Sequence, residues 1–351
     1  MTLADKLYRP KKISLAMWCA LMLTMLLGCS ASQAPKIEAI TGLSMGTSYT
    51  VKWVQSADQQ NPIDGDIARG VALELGRIEA SMSTYMDASD LSGFNGATTD
   101  QWHSVPAPMA ELVSQALSLS EQTNGAFDIT VGPIVNLWGF GPDPVPENSP
   151  TQAALDALRP MIGYQSLKVQ KNPPAMLKLA NSTIDLSAIA KGYGVDAVAT
   201  WLESKGLDNY LIEVGGELRA KGLKPDHTPW RIAIETPTVD ARQIYQVINV
   251  RNIAVATSGN YRNYYELDGV RYAHTLDPHT LRPVTHNLAS VTVLDASAAR
   301  ADALATALMV MGSDKGIVWA TMHQVPAYFI MKQLDGFVAQ STANFTDFLE
   351  N

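Results

Sequence analysis

Two side chains one helical turn apart offer the clearest chemistry in this 351-residue sequence: Asp302 and Thr306, within Arg300-Ala301-Asp302-Ala303-Leu304-Ala305-Thr306-Ala307. On a helix, a four-residue gap places both on one face. A carboxylate and a hydroxyl are hard oxygen donors and suit magnesium, which takes few protein ligands and keeps water and phosphate oxygens. The same aspartate near a helix start would serve equally as a cap or a partner of the helix dipole. His274 titrates in the range useful for drawing a proton from a hydroxyl; its structural alternative is to bond the Asp277-Pro278 turn. Before a predicted helix, Asp185 reads as a plain N-cap. Tyr85, Phe127 and Lys191 read by themselves as a helix-end aromatic, a core ring and a solvated charge.

Other designs are excluded. The sequence has no Gly-x-x-x-x-Gly-Lys-Ser/Thr phosphate loop and no Gly-x-Gly-x-x-Gly opening a helix after a strand. Among His103, His227, His274, His279, His286 and His323 there is no His-x-x-x-His pair, so a zincin-type metal site is unsupported. The two cysteines, Cys19 and Cys29, both precede the main body. That body therefore has no thiol nucleophile, no internal disulfide and no cysteine-based zinc site. The formal net charge is −8, a poor match to nucleic acid, whose binding depends on neutralising phosphates. A phosphate-bearing ligand would need a metal ion or oriented backbone N–H groups.

The chain opens with Lys6, Arg9, Lys11 and Lys12, then a mostly apolar run from Ile13 to Leu27. That run is short for a membrane span, which needs about 20 apolar residues, and has the flanks of a secretory signal. Leu26-Leu27-Gly28-Cys29 looks like a bacterial lipobox. The expected organisation is a lipoprotein signal peptide over 1–28, a lipidated tether over 29–38 beginning at Cys29, and one domain over 39–351. Lipidation as in bacterial lipoproteins, palmitate included, would give more than one acyl chain and hence a stable anchor. An uncleaved helical anchor is the alternative, and both place the body outside the cytoplasm on a membrane surface.

Positioning these residues requires the following elements. Alternation at Tyr49, Val51 and Trp53 predicts a strand over Ile40 to Val54. Ile67, Val71, Leu75, Ile78 and Met82 recur at helical spacing and predict a helix from about Ile63 to Ser83. Further helices are expected from Pro108 to Thr123, from a Ser149-Pro150 start through Leu158, from a segment opening at Ile184 to near Gly206, and from Ala298 to Met311. Strands are expected at Leu211–Val214, Arg231–Glu235, Ile253–Thr257 and Leu288–Leu294. A final pair, Ala327–Met331 and Phe337–Gln340, turns across Asp335-Gly336. Without strict βαβ alternation, the class is α+β, mixed sheets with packed helices.

Six segments in order then carry a resemblance: Leu43-Ser44-Met45-Gly46-Thr47-Ser48-Tyr49 with Met82-Ser83-Thr84-Tyr85; Gly125-Ala126-Phe127-Asp128-Ile129-Thr130-Val131-Gly132-Pro133; Asp185-Leu186-Ser187-Ala188-Ile189-Ala190-Lys191-Gly192-Tyr193; Ala254-Val255-Ala256-Thr257-Ser258-Gly259-Asn260-Tyr261; and His274-Thr275-Leu276-Asp277-Pro278. With the Asp302 and Thr306 pair, they resemble the ApbE family, the FAD:protein FMN transferases, over nearly the whole body. The resemblance implies an ApbE-like fold and a reaction: FMN passes from FAD to a Thr or Ser hydroxyl of an acceptor protein, and AMP leaves. It implies magnesium between the Ala188 carbonyl, Asp302 and Thr306, a flavin contact at Tyr85, and further FAD contacts at Met45, Ala126, Phe127, Asp128, Asp185, Lys191 and Leu276. Lys191 is the position where the family also shows an acidic residue. Implied acceptors are membrane redox subunits, such as those of the sodium-pumping NADH:quinone oxidoreductase and Rnf-like complexes, which favours the periplasmic side of the inner membrane. Ser30 after Cys29 does not itself supply the usual inner-membrane sorting signal. The rival readings are a metal-dependent FAD pyrophosphatase, a non-enzymatic flavin-binding lipoprotein and a lipoprotein of thiamine biosynthesis.

Overall fold

The computed structural model describes residues 34–55, 64–238, 243–267 and 269–350. The expected signal peptide, Cys29 and the tether as far as residue 33 lie outside the described residues.

A sheet of eight strands carries the fold: β1 (Lys36–Ser44), β2 (Thr47–Gln55), β3 (Tyr210–Val214), β4 (Glu217–Lys221), β5 (Ile253–Gly259), β6 (Leu288–Asp295), β7 (Ala327–Gln333) and β8 (Gly336–Ser341). Their order across the sheet is their order in the chain, and every neighbouring pair is antiparallel. The sheet is therefore a meander whose connections have been lengthened to carry everything else. Four long helices lie in those connections and after the first hairpin: α1 (Asp64–Met82), α2 (Ala107–Gln122), α3 (Ala190–Ser204) and α4 (Ala298–Met322). The α+β expectation is borne out.

The expected alternation on β2 holds, with Tyr49, Val51 and Trp53 all buried. The expected single strand over Ile40 to Val54 is instead a hairpin. Ser44 pairs with Thr47, leaving Met45-Gly46 as a two-residue turn with φ of 53° and 70°. Positive φ at both positions is what such a turn demands, and methionine there hides the usual Asn-Gly or Asp-Gly signal.

Helix α1 buries Ile67, Val71, Leu75, Ile78 and Met82, as its spacing predicts. Each contributes about 1.5–3 kcal/mol by leaving water. Those from Ile67 to Leu75 pack with β2, β3 and α3. Helix α4 lies along β5 and β6, its alanines allowing close approach. It begins at Ala298 as expected but runs to Met322, interrupted at Gly312 (φ 75°, ψ 177°) just beyond the expected end at Met311. Helix α2 packs on a small three-stranded sheet of His103–Ser104, Leu167–Lys171 and Pro174–Lys178.

The opposite face of the main sheet is covered by a hairpin of Trp230–Glu235 and Ile244–Val250, with Phe345 from the last turn. Two smaller expectations shift. The helix ending at Leu158 is capped by Thr151, whose hydroxyl accepts from Ala154 N at 3.2 Å, and so starts at Gln152 rather than at Ser149-Pro150. The last hairpin turns through Leu334-Asp335, one residue earlier than Asp335-Gly336. Among the described residues no helix is long and apolar enough to cross a membrane.

Candidate active site

The turn Met45-Gly46, the turn Gly215-Gly216 and the end of β5 all lie at one end of the sheet, because antiparallel neighbours bring alternate connections together. A cavity of about 850 Å³ opens there beneath α4. All twelve residues proposed from the sequence for chemistry or ligand binding line it: Met45, Tyr85, Ala126, Phe127, Asp128, Asp185, Ala188, Lys191, His274, Leu276, Asp302 and Thr306.

At its buried part, Asp302 is not a helix cap. The cap of α4 is Ser297, whose Oγ accepts from Arg300 N at 3.2 Å. Asp302 Oδ2 instead accepts the backbone N–H of Gly192 at 3.1 Å. As the third residue of α3, Gly192 carries one of the first-turn N–H groups that have no acceptor within the helix, and Asp302 satisfies it. The junction is tight: a Cβ on Gly192 would lie 2.2 Å from the Ala298 oxygen. Asp196 secures it from behind, accepting from Arg219 Nη1 at 2.5 Å, Ser297 Oγ at 2.8 Å and Ala299 N at 3.0 Å.

Lys191 is not a solvated charge. Its Nζ lies 3.4 Å from Glu217 Oε1 and 3.8 Å from Asp302 Oδ2, and it donates to the Ser187 carbonyl at 3.4 Å. Burial acts against its charge, but the Asp302 and Glu217 carboxylates outweigh that and keep its pKa above the ordinary lysine value. Burial likewise raises both carboxylates, partly offset by Lys191. When ionised, two carboxylates facing one ammonium leave one negative charge uncompensated, and Glu217 Oε2 is buried with no hydrogen-bond partner.

Elsewhere the walls are aromatic and backbone. Tyr85 is 65 % exposed, its hydroxyl donating to the Phe140 carbonyl at 3.3 Å, so one ring face remains open to a flat ligand. Phe127 is buried and supplies shape. Asp128 spends its oxygens on the loop, accepting from Thr130 N (2.8 Å), Thr130 Oγ1 (2.7 Å) and Tyr164 N (2.8 Å). Asp185 is not the cap of α3, whose N-cap is Ile189; its Oδ1 accepts from Ser187 N at 2.7 Å and shapes the turn before the helix.

His274 does not bond the Asp277-Pro278 turn. Its Nδ1 faces the Asn263 carbonyl at 3.1 Å. A carbonyl only accepts, so Nδ1 carries the proton and Nε2 keeps its lone pair. Burial pushes its pKa below the usual histidine value, with Lys191 adding to that and the Asn263 bond opposing it. The ring is therefore neutral at neutral pH and able to take a proton.

A sequence profile of the ApbE family matches residues 45–329. The FAD:protein FMN transferase of Vibrio cholerae is 42% identical over 95% of this chain and 98% of its own length. That of Haemophilus influenzae is 39% identical over 90% of this chain and 92% of its own. Among solved structures, the flavin transferase ApbE from Vibrio cholerae superposes with a TM-score of 0.83, covering 90% of this chain and all of that one. Apo flavinyl transferase ApbE from Pseudomonas stutzeri gives 0.82, covering 90% and 97%. The chain belongs to the ApbE family. It is an enzyme of the transferase class, and the family's fold is the meander described above.

Glu217 of this ApbE-family cavity escaped the sequence reading. Its signal was the Gly215-Gly216 pair, with φ of 60° and 102°, between the strand ending at Val214 and the alternating run that follows. A Gly-Gly pair between two strands marks a hairpin, and the first residue after it stands at the same sheet end as the other turns.

Proposed function

We propose that this protein moves the FMN half of FAD onto a Thr or Ser hydroxyl of an acceptor protein and releases AMP. The observation that carries this reading is the pairing, in one cavity, of a neutral His274, whose Nδ1 is committed to the Asn263 carbonyl, with the buried Asp302 carboxyl one helical turn from Thr306. The acceptor hydroxyl oxygen forms a bond to the FMN phosphorus, the bond from that phosphorus to the bridging oxygen of AMP breaks, and His274 Nε2 takes the hydroxyl proton. Such a step needs in-line positioning more than covalent participation by the protein.

The donor set fits magnesium: the Asp302 carboxylate, the Thr306 hydroxyl and the Ala188 carbonyl are hard oxygens on the cavity wall. Among the described residues no group of three or more His, Cys, Asp or Glu could hold a metal, so an ion here would need water and phosphate oxygens to complete its shell. Bound there, magnesium would neutralise charge on the pyrophosphate and on the departing AMP. Tyr85 offers its open face to the flavin ring, and Met45, Ala126, Phe127 and Leu276 exclude water around it. Asp128 and Asp185 hold the loops that shape this pocket, and Lys191 stands between Glu217 and Asp302.

Full-length protein incubated with FAD, magnesium and an acceptor domain of a redox subunit of the sodium-pumping NADH:quinone oxidoreductase or Rnf type should give FMN-labelled acceptor and equal AMP by mass spectrometry. Free FMN with unlabelled acceptor would identify a pyrophosphatase instead. His274→Ala should slow transfer by about 10²–10⁴-fold with FAD affinity nearly unchanged. Because the neutral form is active and its pKa is lowered, the wild-type rate should rise with pH through an inflection below 6.5 and then level off. That inflection should vanish in the variant; equal loss of affinity and rate would make His274 a structural residue.

The basic start, short apolar run and Leu26-Leu27-Gly28-Cys29 support a lipid anchor at Cys29 on the periplasmic side, and the proposed acceptors favour the inner membrane. Cys29→Ser should release the protein from membranes while leaving transfer by the folded body intact; acylated, membrane-bound Cys29→Ser protein would overturn the anchor.

A further inference from the structure

Two buried carboxylates here share one ammonium, and the sharing is uneven. Lys191 Nζ stands 3.4 Å from Glu217 Oε1 and 3.8 Å from Asp302 Oδ2, with the Glu217 and Asp302 side chains only 5% and 6% exposed. A divalent cation on Asp302 and an ammonium on the same oxygen repel each other strongly in so enclosed a place. Binding the cation therefore requires somewhere else for the ammonium to go.

Resting on the magnesium reading above, we infer that Glu217 is a positioning residue that receives the Lys191 ammonium and so leaves the Asp302 carboxylate open to a divalent cation. Glu217 has the capacity for this, since its Oε2 is buried with no hydrogen-bond partner. The Gly215-Gly216 turn puts it at the first residue of β4, and a Cβ on Gly215 would come 3.1 Å from Lys191 Cδ, so glycine leaves room for the lysine stem to move. The Ser187 carbonyl, already a partner of Nζ at 3.4 Å, stays within reach of the displaced ammonium. Without Glu217, Asp302 would be the lysine's one remaining ion-pair partner among the described residues, and a cation would have to break that pair.

The test is a titration of FAD-loaded full-length protein with manganese(II) chloride, followed by the paramagnetic resonance signal of the free ion. Glu217→Gln should weaken binding by about 10- to 100-fold, the range for residues that orient a metal ligand. Lys191→Met should bind at least as tightly as wild type, and most of the Glu217→Gln loss should disappear in the Lys191→Met background. Wild-type affinity in Glu217→Gln, or a loss at least as large in the Lys191→Met background, would overturn the inference. Glu217→Asp, which keeps a carboxylate, should recover part of the affinity, and melting temperatures of all variants identify any that fail to fold. Asp302→Ala separates the two levels. If it abolishes binding, the magnesium reading stands whatever Glu217 does; if it binds like wild type, that reading falls and this one with it.

Discussion

The loop Gly125–Thr130 and the opening turns of α4 each deliver a buried aspartate to the same cavity, and they use it in opposite ways. Asp128 accepts three hydrogen bonds from Thr130 and Tyr164, so both of its oxygens are committed to holding the loop. Asp302 accepts one backbone N–H, from Gly192, and competes with Glu217 for Lys191. Burial raises the pKa of both. Burial therefore does not distinguish a structural carboxylate from a working one; the number of committed donors does. A saturated carboxylate can only be lost, whereas an undersaturated one can exchange partners with a ligand.

That contrast breaks if the two aspartates respond alike. Asp302→Ala should reduce transfer by about 10³-fold, several kcal/mol of charge stabilisation, with a smaller loss of melting temperature than Asp128→Ala because it strands only the Gly192 N–H. Thr306→Ala, which removes only a hydroxyl dipole, should cost about tenfold, and raised magnesium should recover more of its rate. A Thr306 loss equal to that of Asp302 in steady-state assays would mean that the carboxylate is not the principal donor.

Asp128→Ala should show the reverse pattern. It strands the buried Thr130 N–H and the half-buried Tyr164 N–H and should lower folding stability by about 2–4 kcal/mol, read by chemical denaturation. Its rate per folded molecule should fall less than that of Asp302→Ala. Unchanged stability would remove the distinction between the two carboxylates. The smallest effect belongs to the exposed rim: Tyr85→Leu should raise the KM for FAD by about 3- to 10-fold with kcat nearly kept, the value of one aromatic contact.

Much of the cavity was legible because its residues sit in short runs whose order in the chain is readable. The Asp302 and Thr306 spacing needs only a helix, and α4 supplies it. The arrangement of the sheet was harder to see. Met45-Gly46 carries a turn without a turn-forming signature, so two strands read as one. Glu217 was hidden for a different reason: its partners Lys191 and Asp302 are distant in sequence and meet it only through the packing of α3, α4 and β4. The strand Ile244–Val250 alternates weakly because much of it is half-buried. In place of the local structural contacts expected for Asp302, Asp185 and His274 stand hydrogen bonds to Gly192, Ser187 and Asn263 respectively, which no local pattern encodes.

Strand β1 begins at Lys36 and ends beside the Met45-Gly46 turn that lines the cavity. Its nine residues span roughly 30 Å. With the proposed anchor at Cys29, the stretch Ser30–Lys36 adds at most roughly 25 Å when fully drawn out. The strand thus acts as a rigid boom on a short leash, and the cavity mouth can rise no more than roughly 55 Å from the lipid surface. On that anchor, a hydroxyl carried higher on a partner would stay unlabelled whatever residues surround it, and altitude above the bilayer would become a criterion of substrate choice.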